Sequence, residues 1–269
     1  MAAPDRRTEA AVLGLDELTR RLRRECPWDR EQDERSIVPH TVEEAYELAD
    51  AAHSGDDAKL LDELGDVLFQ VHFLALLLEE RDAGSLAAVA DHCSEKLIRR
   101  HPHVFGEVEA ADAGEVRRNW DEIKRTVEGR DPLFGDLPEN LPALSRARKA
   151  QRRVAATGFD FPGVDRAAES VRDELAELEA AGGREERFHE VGDVLFAATN
   201  LARKLSVDPE LALRAATARF CARVDGAEAE AAGAGERWSE LPLERQLEHY
   251  ARARLRESSA NPSTPAGGQ

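Results

Sequence analysis

The pentapeptide Gly65-Asp-Val-Leu-Phe69 recurs unchanged as Gly192-Asp-Val-Leu-Phe196. Internal repetition on this scale means the chain builds one structural unit twice. Val42-Glu-Glu-Ala-Tyr-Glu-Leu48 precedes the first copy and Arg172-Asp-Glu-Leu-Ala-Glu-Leu178 the second, with their acids in register. The upstream elements are offset by 130 residues and the downstream ones by 127. Three residues are therefore lost between 53–58 and 181–186, two stretches that read as loops, where a length change costs little. A length of 269 residues allows one large domain or two small ones, and the repeat decides for two.

Strand signals are almost absent. Ala, Leu, Glu and Arg dominate, and these favour helix. The pattern predicts an all-α chain with helices over 9–25, 41–53, 57–82, 85–100, 113–128, 141–156, 164–181, 185–206, 208–231 and 242–257. Gly129-Arg-Asp-Pro-Leu-Phe-Gly-Asp-Leu-Pro138 combines turn formers between helical patterns, so the modules are read as 1–130 and 141–257, joined by a linker at 131–140. Residues 258–269 carry no apolar periodicity and read as a disordered tail.

Composition removes several kinds of function. With 37 Lys plus Arg against 54 Asp plus Glu, the net charge is −17. Nucleic-acid binding and polybasic membrane anchoring both want the opposite sign, so neither nucleic acid nor membrane is expected as a partner. The longest apolar stretch, Leu68 to Leu78, is broken by Gln70 and His72 and falls short of the ~20 residues a membrane span needs. No signal peptide is evident, and three cysteines without C-x-x-C pairing suggest free thiols in a reducing cytoplasm.

Acidic residues carry the chemistry. Glu44 and Glu47 are three apart, as are Glu63 and Asp66, so each pair projects from one helix face. A short loop makes the helices antiparallel neighbours, with Leu48, Leu64, Val67 and Leu68 expected to pack them together. Four converging carboxylates repel one another unless a hard divalent cation relieves them, and Mg²⁺ suits this donor set best. Asp66 and Asp193 sit in apolar surroundings, which suggests that both are buried and need a partner. A carboxylate-bridged di-iron bundle is the other metal reading, but its Glu-x-x-His occurs only at Glu186–His189 and has no match in the first copy. The plainest alternative makes Thr41 to Glu44 a capping box and leaves the remaining acids on a solvated face.

Together these residues resemble the MazG family of nucleoside triphosphate pyrophosphohydrolases, whose hallmark is E-E-x-x-E, a spacer, then E-x-x-D. The similarity extends in order through Cys26-Pro-Trp-Asp-Arg-Glu-Gln32, Glu43 to Glu47, Glu63 to Gln70, Arg99-Arg-His-Pro-His-Val-Phe105, Leu141-Pro-Ala-Leu144 and Gly158-Phe-Asp160. It implies two tandem MazG-like helical modules on antiparallel hairpins, a homodimer, and Mg²⁺-dependent hydrolysis of NTPs or dNTPs to the monophosphate and pyrophosphate, with Mn²⁺ as a substitute metal. Such an activity would serve nucleotide-pool control or house-cleaning.

Carried over by position, the implied metal ligands are Glu44, Glu47, Glu63 and Asp66, and in the second copy Glu174, Glu177, Glu190 and Asp193. Glu43 flanks the first set, with the shorter Asp173 in its place in the second. Glu47 and Glu177 are the candidates for taking a proton. The resemblance also implies nucleotide contacts from Arg219, Arg223 and Tyr250. Trp28 is either a base-stacking group or a packing anchor. Arg20 to Arg24 and Arg146 to Arg153 read mainly as solvated faces, and His101 and His103 as structural. The second copy is expected to be catalytic. Narrower dUTP or phosphoribosyl-ATP pyrophosphatases, and a nucleotide-binding scaffold with a degenerate site, are the rival functions.

Overall fold

A computed structural model describes residues 6–106 and 137–260, with Val108, Val116, Ile123 and residues 133–135 between them. Every regular element among the described residues is helical. The chain divides into two compact units, Met1–Leu201 and Ala202–Gln269.

The first unit opens with α1 (Arg6–Glu25), the short α2 (Pro27–Glu31), α3 (Glu34–Ser54) and α4 (Asp57–Glu79). α3 begins seven residues earlier than its sequence pattern predicts, because Asp33 starts it: the Asp33 carboxylate accepts from Ser36 N–H, and Ser36 Oγ accepts from Asp33 N–H. That capping box satisfies donors a helix start would otherwise leave bare and carries the helix through Pro39. Thr41 is consequently no cap. It lies inside α3, its hydroxyl within reach of Ile37 O and of Gln70 Oε1 on α4. Gly55 ends α3 at φ 72°, a conformation that costs glycine little. Asp56 starts α4 at once by accepting from the Ala58 and Lys59 N–H groups. The turn therefore consists of the two caps alone, Gly55 and Asp56, and it folds α4 back along α3.

Ile37, Phe73 and Leu77 form the buried centre, with Phe69 and Leu74 against it. Leu64 and Leu68, expected to join α3 to α4, are instead 49% and 43% exposed. They belong to an apolar stripe on α4, Leu61, Leu64, Leu68 and Val71, at the three-and-four spacing of a helix seam. The far end of α4 is held by α1. Arg20 makes two bonds to Glu79, at 2.6 and 2.9 Å, and Arg23 makes two to Glu80, both 2.8 Å. These arginines hold both carboxyls below their usual range and offset acids placed at the unfavourable end of the helix dipole. Arg23 also stands 5.8 Å from the Phe73 ring centre and donates to the Gln32 and Asp29 carbonyls. Two members of the basic run are thus structural clamps.

Beyond α4 come α5 (Leu86–Arg100) and α6 (Pro102–Phe105). Of the helix expected over 113–128 only Val116 and Ile123 are described, both helical, and the rest lies outside the described residues. Then follow α7 (Ala143–Ala155), α8 (Val164–Ala180) and α9 (Arg184–Lys204). Residues 133–135 and 137–140 are turns and irregular backbone. Arg153, 9% exposed, donates to Leu133 O, and Gln151 donates to Phe196 O. Phe188, Val191 and Leu195 on α9 repeat three of the four positions of the exposed α4 stripe, with Ala198 in the place of Val71.

In the second unit α10 (Pro209–Gly233) and α11 (Leu243–Ala260) pair across a short 3₁₀ turn, Trp238–Glu240. Small residues set their spacing: Ala227 and Ala231 are fully buried, and a Cβ on Gly226 would meet that of Ala253 at 3.4 Å. His249 is 2% exposed and shares a 2.7 Å bond with Glu236, which also accepts from Arg245. α11 extends three residues into the segment read as a tail. No helix among the described residues is long and apolar enough to cross a membrane.

Phe73→Ala removes the largest side chain of the centre and should destabilise the first unit by about 3–5 kcal/mol. Urea denaturation followed by far-ultraviolet circular dichroism measures it, and a loss under 1 kcal/mol would contradict this account of the core.

Candidate metal and nucleotide site

The turn at Gly55 brings the two acidic pairs of the first copy together. Oxygens of Glu44, Glu63 and Asp66 all lie within 4.8 Å of one another. In the second copy, where Ala181 to Gly183 join α8 and α9, the grouped oxygens belong to Glu174, Glu177 and Glu190. Six of the eight expected ligands are thereby gathered into two groups of three. Glu47 stands outside the first group and Asp193 outside the second. Both remain near enough for their charges to act on the acids inside.

Burial does not fall on the aspartates. Asp66 and Asp193 are exposed, contrary to the expectation drawn from their apolar neighbours, because Leu64, Leu68 and Leu195 are themselves exposed. The buried acid is Glu63, 7% exposed. In the second copy one oxygen of the matching Glu190 is enclosed without a hydrogen-bond partner. A carboxylate so enclosed costs free energy unless it is protonated or meets a cation. The electrostatics agree. The Glu44 carboxyl is held above its ordinary range by burial first, then by the charges of Asp66, Glu47, Glu63 and Glu43. Burial likewise raises Glu63, helped by Glu47, Asp62 and Asp66 and opposed by Lys59. Glu174 is raised by burial, Glu177, Asp193, Glu190 and Asp173.

All these donors are carboxylate oxygens, the set that suits a hard divalent cation. Among the described residues, neither group of metal-holding geometry contains a histidine. Glu186 of the lone Glu-x-x-His accepts from Gly182 N–H at 2.7 Å in the α8–α9 turn, so the di-iron reading lacks its ligands.

Trp28 is no packing anchor, being 52% exposed. Its ring meets the His40 imidazole edge-on at 5.9 Å, and His40 Nδ1 lies 3.2 Å from Glu43 Oε2. The second copy has a counterpart: Arg166 lies over Phe161 at 6.0 Å and reaches Asp173 at 3.7 Å. Neither His40 nor Arg166 was singled out from sequence. The three-residue step from His40 to Glu43 was the available signal. Arg219, Arg223 and Tyr250 belong to the second unit. There Arg219 is exposed, and Tyr250 is half-buried with its ring 6.1 Å from that of Phe220. His101 Nδ1 bonds Leu97 O, and its ring lies 5.5 Å from that of His103, as structural histidines do.

Comparison with known proteins bears on this geometry directly. Residues 32–105 match the family model for a MazG nucleotide pyrophosphohydrolase domain. A Thermotoga maritima protein named nucleoside triphosphate pyrophosphohydrolase/pyrophosphatase MazG is 39% identical over 231 residues, 85% of this chain and 89% of that protein. The chain belongs to the MazG family. The nucleoside triphosphate pyrophosphohydrolase of Escherichia coli K12 is 38% identical over 240 residues, 86% of this chain and 91% of the relative. The nucleoside triphosphate pyrophosphohydrolase of Mycolicibacterium smegmatis is 35% identical over 164 residues, 59% of this chain and 50% of that protein. The Thermotoga and Escherichia alignments are long enough to require both acidic copies, whereas the family model covers only the first.

The raised carboxyls make a pH prediction. Folded Glu44 binds its proton more tightly than unfolded Glu44 does, so its contribution to stability falls as pH rises from the ordinary glutamate range through its raised value. In metal-free protein Glu44→Gln should therefore raise the thermal midpoint at pH 7 by ~2–4 °C, with the gain shrinking toward pH 4. Scanning calorimetry in chelator across that range would contradict the repulsion account if the variant were less stable throughout.

Proposed function

We propose that this chain is a Mg²⁺-dependent nucleoside triphosphate pyrophosphohydrolase, converting NTPs or dNTPs to the monophosphate and pyrophosphate. The observation that carries the reading is the doubled acidic group, three carboxylate oxygens within 4.8 Å in each copy. Glu44, Glu63 and Asp66, with Glu47 beside them, would hold the metal in the first copy, and Glu174, Glu177 and Glu190, with Asp193, in the second. Bound Mg²⁺ supplies positive charge that offsets the triphosphate and acidifies a coordinated water; Mn²⁺ can replace it.

The protein's own part is positional. α3 packed on α4 fixes the first copy's acids before substrate arrives, so no reorganisation is needed there as charge moves. Glu47 and Glu177 are the proton acceptors in this reading. Glu47 suits the role through its exposure and its place outside the tight group, since an acid not committed to metal keeps a free lone pair, whereas Glu177 lies inside its group and would use the oxygen that the metal leaves free. Trp28 offers an indole face to a base. The action named for the Thermotoga and Escherichia relatives agrees with this chemistry. It suits nucleotide-pool control or house-cleaning in the cytoplasm.

The matched stripes Leu61, Leu64, Leu68, Val71 and Phe188, Val191, Leu195 favour a homodimer. Seams of this spacing are covered by helices, and a second copy of the chain presents the same two seams. Leu64→Glu with Leu68→Glu should convert dimer to monomer in sedimentation, and a monomeric parent protein would overturn the assignment.

Turnover tests the chemistry. Purified protein with Mg²⁺ should release pyrophosphate from dNTPs and stop when the metal is chelated; release of inorganic phosphate alone would refute it. We assign catalysis to the second copy, so Glu190→Gln should lower kcat roughly 100-fold while Glu63→Gln retains most activity. The opposite pattern moves catalysis to the first copy.

A further inference from the structure

Two small assemblies outside the metal groups share one plan. In the first copy the half-exposed Trp28 ring, on α2, touches His40 on α3, and His40 bonds Glu43. In the second, Phe161, in the segment before α8, carries Arg166 over its ring, and Arg166 pairs with Glu169 at 2.9 Å and reaches Asp173. Glu43 and Asp173 occupy the same place in the repeat, each directly before a metal-group acid, Glu44 or Glu174. The linking residues do not align: His40 lies three before its acid and Arg166 seven before. Different side chains at different positions thus make the same connection, from an aromatic ring to the acid beside the ligands.

We propose that His40 and Arg166 are positioning residues that tie these rings to the flanking acids and so fix where the base end of a nucleotide lies relative to its phosphates. This rests on the pyrophosphohydrolase reading. The physical need is clear in the first copy. α2 is only five residues long, and Trp28 is 52% exposed. A ring that stacks on a base must nevertheless be ordered beforehand, or binding loses the entropy of ordering it. An edge-on imidazole contact orders the indole while leaving a face open. The Glu43 carboxylate can only accept, so it selects the His40 tautomer with the proton on Nδ1 and fixes the ring plane. In the second copy the cation stands over the smaller Phe161 ring and is itself held by Glu169 and Asp173.

The test uses full-length protein with Trp28 as its sole tryptophan, through Trp120→Phe and Trp238→Phe. Ligand-free Trp28 should lose fluorescence anisotropy in His40→Ala; unchanged anisotropy overturns the tether whatever the enzyme does. With Mg²⁺, a dATP analogue carrying a methylene between the α and β phosphorus should quench Trp28. His40→Ala should weaken that analogue about ten-fold, the size of one base-stacking contact, while inorganic tripolyphosphate, measured by competition, changes less than two-fold. Equal losses for both ligands would mark a merely structural histidine, and no quenching would remove Trp28 from the base site. Arg166→Ala should raise KM for dNTPs with kcat held within two-fold, with Arg166→Lys restoring most of the affinity; an equal fall of kcat would overturn the second tether. Failure of the underlying reading looks different, since the parent protein would then release no pyrophosphate.

Discussion

Repulsion among carboxylates is the force around which the first unit is organised. Three acids whose oxygens lie within 4.8 Å push against each other and, in Glu63, against a largely buried position. Isolated helices could not keep such groups together, because swinging them apart would relieve the charge. Rigid neighbours must oppose that motion. The two-residue turn of caps, Gly55 and Asp56, holds one end of the α3–α4 pair, while the Arg20 and Arg23 pairs grip the other end of α4. Ile37 and Phe73 fill the space between. Stability gathered in these places supports a cluster that by itself destabilises, a division of labour common where a protein must hold a charged ligand.

Much of this was legible in the chain. The repeat gave the two hairpins, and E-x-x-E with E-x-x-D gave the acids, because helix geometry converts a three-residue spacing into a shared face. Glu186 could be doubted as a ligand from its lack of a partner motif in the first copy, and its bond to Gly182 shows what it does instead. Local pattern failed where tertiary packing chose between equal local options. Thr41 to Glu44 has the spacing of a capping box, but Asp33 caps the helix first. Leu64 and Leu68 have the composition of core, yet the packing turns them outward and leaves Asp66 exposed with them. The mixed role of the Arg20–Arg24 run depended on Glu79 and Glu80, far along the chain.

The rings beside the acids were least visible, for a related reason. His40 and Arg166 do not align in the repeat, so comparing the copies hides what they share. Their common feature is a three-body contact, and it appears only once helices are placed. The MazG family match spans the acids of the first copy, and the long alignments to relatives run past those of the second. That leaves room for the copies to differ around them, and the Trp28–His40 and Phe161–Arg166 pairs are where this chain differs most clearly.

The three-residue difference between the copies falls toward the tips of their hairpins: α3 runs on to Ser54, seven residues past Glu47, whereas α8 stops at Ala180, three past Glu177, and the linkers are 55–56 and 181–183. Had it fallen within an acid pair, even one residue lost would have rotated the second acid by about 100°, carrying Asp66 away from Glu63, or Asp193 away from Glu190. A tip can lengthen or shorten without that penalty. The hairpin tip is therefore where this architecture tolerates insertion, so a loop, a tag or a whole domain grafted at Gly55 or Gly183 would leave the register of the acids untouched.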